Sequence, residues 1–319
     1  MSMTFADAFY FDSLVWDWII AVYLFLAGMS AGAVMIAIYL KRKVIEGYPA
    51  SNGIIKATAI LAPFGIIAGL LILIFHLTKP LSFWKIMIFY NPTSVMSMGV
   101  ILFQVYLIVL FAWIAIIYKN ELLNVLGNRL PIVGKVMAVI SRFENAIELF
   151  LGFLALVLAA YTGFLLSALQ TYPLLNNPVL PILFLFSSLS SGAAACLLFG
   201  VTVFKESAHS ASVRWIHRFE RPVVMFELFV IFALFTGLYF GGGQSQAAAM
   251  AAIGGGFWAS WFWYGVIGMG MLLPLGLNAV SPAGVRHNIA FIMLVTTVSL
   301  IGVLMLRTFI LYAGQITTL

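Results

Sequence analysis

The sequence contains the uninterrupted apolar stretch WIIAVYLFLAGMSAGAVMIAIYL at Trp18–Leu40. An α-helix needs about 20 apolar residues to cross the hydrocarbon core of a bilayer, so this stretch is long enough to span one. Seven further apolar runs follow, at residues 55–77, 95–118, 146–168, 180–204, 223–240, 257–278 and 289–311. The runs are continuous, whereas the strands of a membrane barrel alternate over about ten residues. The sequence therefore predicts eight transmembrane helices.

The composition agrees with a membrane environment. Of the 319 residues, 64% are hydrophobic and only 8% are charged, whereas soluble domains carry about 25% charged residues. A soluble globular protein and a disordered one are both excluded. The single cysteine, Cys196, excludes a disulfide framework, a cysteine-held zinc site and a cysteine-held iron–sulfur cluster in this protein.

Basic residues are distributed unequally between the two sets of connections. Thirteen of the sixteen Lys and Arg residues lie in the connections between spans 1–2, 3–4, 5–6 and 7–8. The other side has only Lys79 and Lys85, and Arg307 lies inside the last span. Because basic loops stay in the cytoplasm, we expect both termini in the periplasm and a multi-pass protein of the bacterial inner membrane. The net charge of +6 follows from these loops, so we expect no nucleic-acid partner. No basic segment precedes the first span, which we expect to be retained as an anchor.

The two halves of the sequence resemble each other weakly. LFLAGMSAGAVM (Leu24–Met35) in span 1 aligns with FLFSSLSSGAAA (Phe184–Ala195) in span 5, and Tyr161-Thr162 in span 4 aligns with Arg307-Thr308 in span 8. A unit of four spans is even, so two such units are parallel repeats. We therefore expect an all-α integral membrane protein built from two four-helix bundles, over residues 1–172 and 173–319.

Small residues in span 1 follow the pattern GxxxG from Gly28 to Gly32, and Ser188–Gly192 is the counterpart in span 5. This spacing lets two helix backbones approach closely. We interpret it as helix packing inside the protein and assign it no functional role.

Four polar or ionisable residues gather toward the expected outer face in the first half, namely Asp17, Tyr23, His76 and Tyr161. Such residues within a membrane are candidates for function. A pocket between spans 1, 2 and 4 that joined them would suit a quinol, because His accepts a proton near neutral pH and Tyr and Asp hydrogen-bond ring oxygens. Two structural alternatives stay open. Tyr23 can belong to an interfacial aromatic belt, and His76 can lie at headgroup level.

Glu148, Glu227 and Arg307 lie inside spans 4, 6 and 8. They are candidates for a proton path or for a structural ion pair, and we favour pairing with neighbours or snorkelling. We expect neither a metal site nor a haem, because three of the four His residues, His209, His217 and His287, lie in or beside the basic connections and no two face each other across the core.

Seven segments stand out by their order and spacing along the sequence: Trp16-Asp17-Trp18, YLFLAGMSAGA (Tyr23–Ala33), FHLTKPLSFWK (Phe75–Lys85), TSVMSMGV (Thr93–Val100), YTGFLLSAL (Tyr161–Leu169), PLLNNPVLPILFLFSSLSSGAAA (Pro173–Ala195) and FILYAGQ (Phe309–Gln315). Taken together they resemble the NrfD family of quinol-reacting membrane subunits in polysulfide-reductase-like complexes. The similarity runs over nearly the whole sequence and is strongest to the branch found in formate-dependent nitrite reductase systems.

The resemblance implies a subunit without a redox metal of its own that oxidises menaquinol near the periplasmic face. Electrons would pass to a periplasmic ferredoxin-like iron–sulfur subunit and then to multihaem cytochromes that reduce nitrite to ammonium. Tyr161 in YTG matches a Tyr that the family places beside the quinone. Tyr23 stands where polysulfide reductase relatives have His, which moves the role of proton acceptor to His76 or Asp17.

Three other functions stay open at this point. The protein can serve a related polysulfide- or sulfoxide-type reductase. It can be a secondary transporter with a parallel repeat, although transporters more often place paired polar sites near the midplane of both halves. It can also be a passive membrane anchor without a quinone site.

Overall fold

The computed structural model describes residues 8–77, 79–127 and 131–318. Within those ranges the secondary structure is entirely helical, and eight helices are long and apolar enough to cross a membrane. The prediction of an all-α protein with eight spanning helices is confirmed. In sequence order they are α1 (Trp18–Lys43), α2 (Gly53–His76), α3 (Val95–Ile117), α4 (Glu144–Ser167), α5 (Leu180–Thr202), α6 (Ala211–Phe240), α7 (Gly256–Val280) and α8 (Ile289–Gly314).

Side-chain caps set where several of these helices begin. The carboxylate of Asp17 accepts a hydrogen bond from Ile19 N at the start of α1. Asn52 caps α2, Ser210 caps α6 and Asn288 caps α8 in the same way. Each cap satisfies backbone N–H groups that the first helical turn leaves without a partner.

Two helices differ from the expected spans. The helix α6 begins at Ala211, well before the apolar run that starts at residue 223, because Ser210 caps it there. Its first turns lie outside the hydrocarbon layer and can therefore be polar. The helix α7 combines α-helical ends with a π-helical centre at Trp261–Leu272. Its Gly270 lies so close to α8 that a Cβ added at Gly302 would be 2.2 Å from the Gly270 Cα.

The centre of the fold is the crossing of α1 and α5. A Cβ added at Gly32 would lie 1.8 Å from the carbonyl oxygen of Ser188, and one added at Gly192 would lie 2.3 Å from Ala33 N. Only glycine permits this approach. The interpretation of the GxxxG pattern as internal helix packing is confirmed.

The two halves show the same pattern of helix contacts. In the first half α1 packs on α2 and α4, and α3 packs on α4; in the second half α5 packs on α6 and α8, and α7 packs on α8. A hydrophobic core that includes residues of both halves runs through the protein, and large apolar side chains such as Ile108, Phe153 and Phe232 face outward, as a lipid-facing surface requires. The boundary between residues 172 and 173 stays a prediction.

The two ends of the bundle differ in character. At the terminal end, Ser13 donates to the carbonyl of Gln315 and Tyr172 donates to the carbonyl of Ser13, which joins the N- and C-terminal segments to the α4–α5 connection. The opposite, basic end carries the connections rich in Lys and Arg. Arg129, one of the residues used for the predicted orientation, lies outside the described residues. Shorter helices in the connections include Phe83–Ile88, Pro131–Arg142 and Gly243–Ile253.

Candidate functional site

A cavity of about 210 Å³ opens at the terminal end between α1, α2, α3 and α4. We call it the tyrosine cavity, because Tyr23 and Tyr161 both line it. His76 lines it as well, so three of the four side chains predicted for a common pocket come together. Apolar side chains, including Leu73, Val100 and Phe103, form most of the remaining wall.

The ring of Phe103 packs against both tyrosines. Its centroid is 5.9 Å from that of Tyr23 and 6.1 Å from that of Tyr161, with an edge-to-face arrangement on the Tyr161 side. Both tyrosines are buried. The hydroxyl of Tyr161 donates to the carbonyl oxygen of Val95 at 3.0 Å. Because that bond uses its proton, the lone pairs of the Tyr161 oxygen are what a ligand can meet.

Gly99 on α3 makes this position of Tyr161 possible. A Cβ added at Gly99 would lie 1.9 Å from the Tyr161 hydroxyl oxygen and 2.1 Å from its Cζ. Gly99 is not among the site residues predicted from the sequence, although it lies in the segment TSVMSMGV that carries part of the family resemblance. Its signal was a glycine within an apolar helix, which composition alone cannot separate from ordinary packing.

His76 and Asp17 occupy different positions relative to the cavity. His76 is the last residue of α2, is exposed, and lines the cavity near its edge. The carboxylate of Asp17 accepts from Ile19 N at 3.0 Å as the cap of α1, and Asp17 does not line the cavity. The role of either residue as proton acceptor stays a prediction, and the geometry favours His76.

The N-terminal rim of the cavity is held by a residue from the far end of the sequence. Val15 and Trp16 line the cavity, and the side-chain oxygen of Gln315 accepts from the backbone N–H of each at 2.9 Å. The Gln315 amide nitrogen donates to the carbonyl of Trp16 at 2.8 Å. Sequence reasoning missed this role, because nothing local shows that residues 16 and 315 meet.

A second cavity, of about 240 Å³, lies against the first between α2 and α3. It shares six lining residues with the tyrosine cavity, including Leu70, Met96 and Phe103. Gln104 is the one polar residue in its lining. The two cavities thus place an apolar chamber beside one that carries hydroxyl and imidazole groups.

Glu148 forms structural ion pairs at the basic end. Its two carboxylate oxygens contact Lys41 and Arg42 of α1, with Arg42 Nε at 2.8 Å, and Lys41 also contacts Glu144. Glu148 is buried. These pairs join the end of α1 to the start of α4, so the pairing interpretation is confirmed for Glu148.

Arg307 and Glu227 are buried in the second half. Arg307 Nη2 donates to the carbonyl of Phe184 at 3.0 Å and to Ser188 Oγ at 3.1 Å, and the guanidinium lies 3.7 Å from the centroid of the Phe184 ring. Among the described residues, Glu227 Oε1 has no hydrogen-bond partner and no ion pair within 4.0 Å joins it to Arg307. Their role in a proton path stays a prediction.

No group of three or more His, Cys, Asp or Glu side chains in the described part of the protein is arranged to hold a metal ion. The side chains that line the tyrosine cavity offer hydroxyl and imidazole groups and an apolar wall.

A comparison with protein-family models matches residues 7–318 to the model described as "Polysulphide reductase, NrfD". The protein belongs to the NrfD family. It is 48% identical to Protein NrfD of Escherichia coli (strain K12) over 318 residues, which is 99% of each sequence. It is 46% identical to the Protein NrfD homolog of Haemophilus influenzae, over 99% of each sequence. It is also 44% identical to the C subunit of the polysulfide reductase of Wolinella succinogenes, over 96% of each sequence.

The NrfD family assignment confirms the resemblance found in the sequence. Together with the eight apolar helices, it makes the protein a multi-pass integral membrane protein of the bacterial inner membrane. As an NrfD family member, the protein is the membrane subunit of a respiratory reductase and pairs with other reductase subunits.

Proposed function

We propose that this subunit oxidises menaquinol in the tyrosine cavity and passes the electrons to a periplasmic ferredoxin-like iron–sulfur subunit. The observation that carries the proposal is the convergence of Tyr23, His76 and Tyr161 on one mostly apolar cavity. Oxidation converts menaquinol to menaquinone with loss of two electrons and two protons. Because this subunit has no redox metal of its own in the proposal, the electrons leave to the partner.

Each polar group has a distinct task in this scheme. The Tyr161 oxygen, whose proton is engaged by Val95 O, accepts a hydrogen bond from one quinol hydroxyl. Tyr23 contacts the second ring oxygen. His76, at the exposed edge, takes up a proton and releases it to the outside. Asp17 is a second proton acceptor beside the cavity.

The apolar parts of the substrate fit the apolar parts of the site. Phe103 and its aliphatic neighbours accept the fused rings, and the adjacent cavity between α2 and α3, with Gln104 as its one polar residue, accepts the isoprenoid tail. Quinones need this combination of a few placed polar groups and a predominantly hydrophobic pocket.

The orientation and the repeat are part of the proposal. The thirteen-to-two distribution of basic residues between the connections favours a basic end in the cytoplasm and the tyrosine cavity at the periplasmic face. The matching contact patterns of α1–α4 and α5–α8 favour two parallel four-helix bundles. Quinol, proton exit and partner subunit then share one side of the membrane.

The proposed terminal reaction is reduction of nitrite to ammonium by downstream multihaem cytochromes. Support comes from similarity to two proteins named NrfD, at 48% and 46% identity, and from the resemblance described above. The 44% identity to a polysulfide reductase subunit keeps a polysulfide- or sulfoxide-type reductase as the second candidate. Membership of this family favours either over a secondary transporter or a passive anchor.

The test is quinol-dependent reduction of the iron–sulfur partner in membranes with matched subunit levels. We expect His76→Ala and Tyr161→Phe to lower the rate while insertion is unchanged. Tyr264→Phe is the matched control, because Tyr264 is 78% exposed and does not line the cavity. Unchanged rates in both site variants would refute the assignment of the cavity.

A further inference from the structure

A cavity of about 310 Å³ lies between α6 and α7 at the basic end of the bundle, away from the connection that joins these two helices at the terminal end. Arg218 and Arg221 of α6 line it together with Arg286, which follows α7. We call it the arginine cavity. It shares no lining residue with the tyrosine cavity, and the proposed quinol reaction does not use it.

The arginine cavity holds buried polar atoms that lack partners. In the described part of the protein, ten buried side-chain nitrogen and oxygen atoms have no hydrogen-bond partner. Four of them belong to residues that line this cavity: both ring nitrogens of His217, Oε2 of Glu220 and Oδ1 of Asn278. Buried polar groups are nearly always hydrogen-bonded, so this concentration indicates a polar occupant.

The charges define what the occupant is. The three arginines form no ion pair within the described residues, and Glu220 is the one acidic residue in the lining. The other Glu220 oxygen is 3.4 Å from Ser299 Oγ, which leaves Oε2 directed elsewhere. The cavity thus combines three guanidinium groups for an anion with two oxygen acceptors for a hydrogen-bond donor.

The remaining lining is apolar and comes from Val224, Pro274, Leu275 and Ala279. Val224 lies one turn beyond Glu220 toward the middle of α6, and Pro274 and Leu275 precede Asn278 toward the middle of α7. Three of the four apolar residues therefore lie deeper in the bundle than the polar group on their own helix. A headgroup with attached acyl chains has the same order along the membrane normal. Basic pockets between helices at this level bind phospholipid headgroups.

We propose that the arginine cavity binds a phospholipid whose headgroup carries both a phosphate and hydrogen-bond donors, such as phosphatidylethanolamine or phosphatidylglycerol. The phosphate contacts Arg218, Arg221 and Arg286 through charge-assisted hydrogen bonds. The amine or hydroxyl groups donate to Glu220 Oε2 and Asn278 Oδ1. The inference does not depend on the quinol reaction or on which side of the membrane the basic end faces.

Native mass spectrometry of the purified complex tests the proposal. The complex is released from nanodiscs that contain equal amounts of phosphatidylethanolamine, phosphatidylglycerol and phosphatidylcholine with the same acyl chains. We expect retention of the first two over phosphatidylcholine, whose trimethylammonium group cannot donate. Arg218→Gln and Arg221→Gln should each lower retention by about fivefold, the effect of one basic group near a membrane surface.

Arg214→Gln is the matched control, because Arg214 is exposed on the same helix one turn away and does not line the cavity. Asn278→Ala is a second variant that keeps all three arginines; we expect it to weaken the preference over phosphatidylcholine. A thermal melt identifies any variant that fails to fold.

Four results would overturn the proposal. Equal retention of phosphatidylcholine would show that headgroup donors do not bind Glu220 and Asn278. An equal loss in Arg214→Gln would assign retention to general surface charge. Binding of inorganic phosphate at the same concentration with no retained lipid would identify a free anion site. Unchanged lipid retention in the Arg218→Gln/Arg221→Gln double variant would show that the retained lipid is not bound in the arginine cavity.

Discussion

The side-chain amide of Gln315 forms hydrogen bonds with both the backbone N–H and the backbone carbonyl of Trp16, although 299 residues separate the two in sequence. Gln315 Oε1 accepts from Trp16 N at 2.9 Å and its Nε2 donates to Trp16 O at 2.8 Å. Gln315 is fully buried, and Trp16 lines the tyrosine cavity. The end of α8, in the second half, thus fixes the rim of a site built from the first half.

We therefore expect Gln315→Ala to raise the KM for quinol and to lower the melting temperature. The variant leaves the N–H groups of Val15 and Trp16 without their partner, and an unsatisfied buried polar group costs about 1–3 kcal/mol. The measurement is quinol-dependent partner reduction at varied quinol concentration. Ser13→Ala is the control, since it removes only the bond to the Gln315 carbonyl. An unchanged KM in Gln315→Ala would show that the rim does not contribute to binding.

A second prediction concerns the contact of Gly99 with Tyr161. In Gly99→Ala the added Cβ would lie only 1.9 Å from the Tyr161 hydroxyl oxygen. The tyrosine ring therefore has to move, and its hydrogen bond to Val95 O is lost. We expect a loss of quinol oxidation at least as large as in Tyr161→Phe, with normal insertion. Gly152→Ala on α4 is the control, because its added Cβ would meet only Ile38 Cδ1 at 3.8 Å. Equal activity of the two glycine variants would contradict the positioning role.

The ion pairs of Glu148 give a prediction about stability. Glu148→Gln leaves Arg42 without its carboxylate, while Lys41 keeps Glu144. We expect the free energy of unfolding to fall by less than the roughly 3–5 kcal/mol that is lost when a fully buried ion pair loses one partner. Quinol oxidation per folded subunit should be unchanged. Thermal unfolding in detergent measures the stability, and quinol-dependent reduction of the partner measures the activity. A large loss of turnover with normal stability would contradict a purely structural role and would support Glu148 as part of a proton path.

The sequence predicted the fold better than the site, for physical reasons. Apolar length sets the spans directly, so all eight appeared, with α6 longer than its apolar run because Ser210 caps it earlier. Tyr23, His76 and Tyr161 stood out because polar groups within a membrane are few. Gly99 and Gln315 did not, since their roles depend on contacts across helices. The π-helical part of α7 was missed as well, because its residues are as apolar as those of an α-helical span.

The orientation can be tested with single cysteines. We expect Arg42→Cys, Arg129→Cys, Arg214→Cys and Arg286→Cys to resist an impermeant thiol reagent in intact cells, because basic loops stay in the cytoplasm. Lys79→Cys and Lys85→Cys, on the other side, should be labelled. The native Cys196 is buried and serves as the background. Labelling of two of the four arginine positions from outside would invert or break the topology.

The last prediction concerns energy conservation. In the proposed scheme quinol gives up its protons and electrons at the periplasmic face, and the electrons never cross the bilayer. Moving one elementary charge against the membrane potential is worth about 2.3 kcal/mol per 100 mV, and a reaction confined to one face neither performs nor gains this work. We therefore expect turnover with added quinol to generate no membrane potential through this subunit.

Glu227 and Arg307 are the groups able to change that outcome. Both are buried in the second half, and Glu227 Oε1 has no partner among the described residues, whereas Glu148 is held by Lys41 and Arg42. A potential-sensitive dye in vesicles with the reconstituted complex makes the measurement, and a potassium gradient with an ionophore confirms that the dye responds. A signal during turnover that disappears in Glu227→Gln would show that the second half conducts protons from the opposite face, and the one-sided scheme would then be wrong.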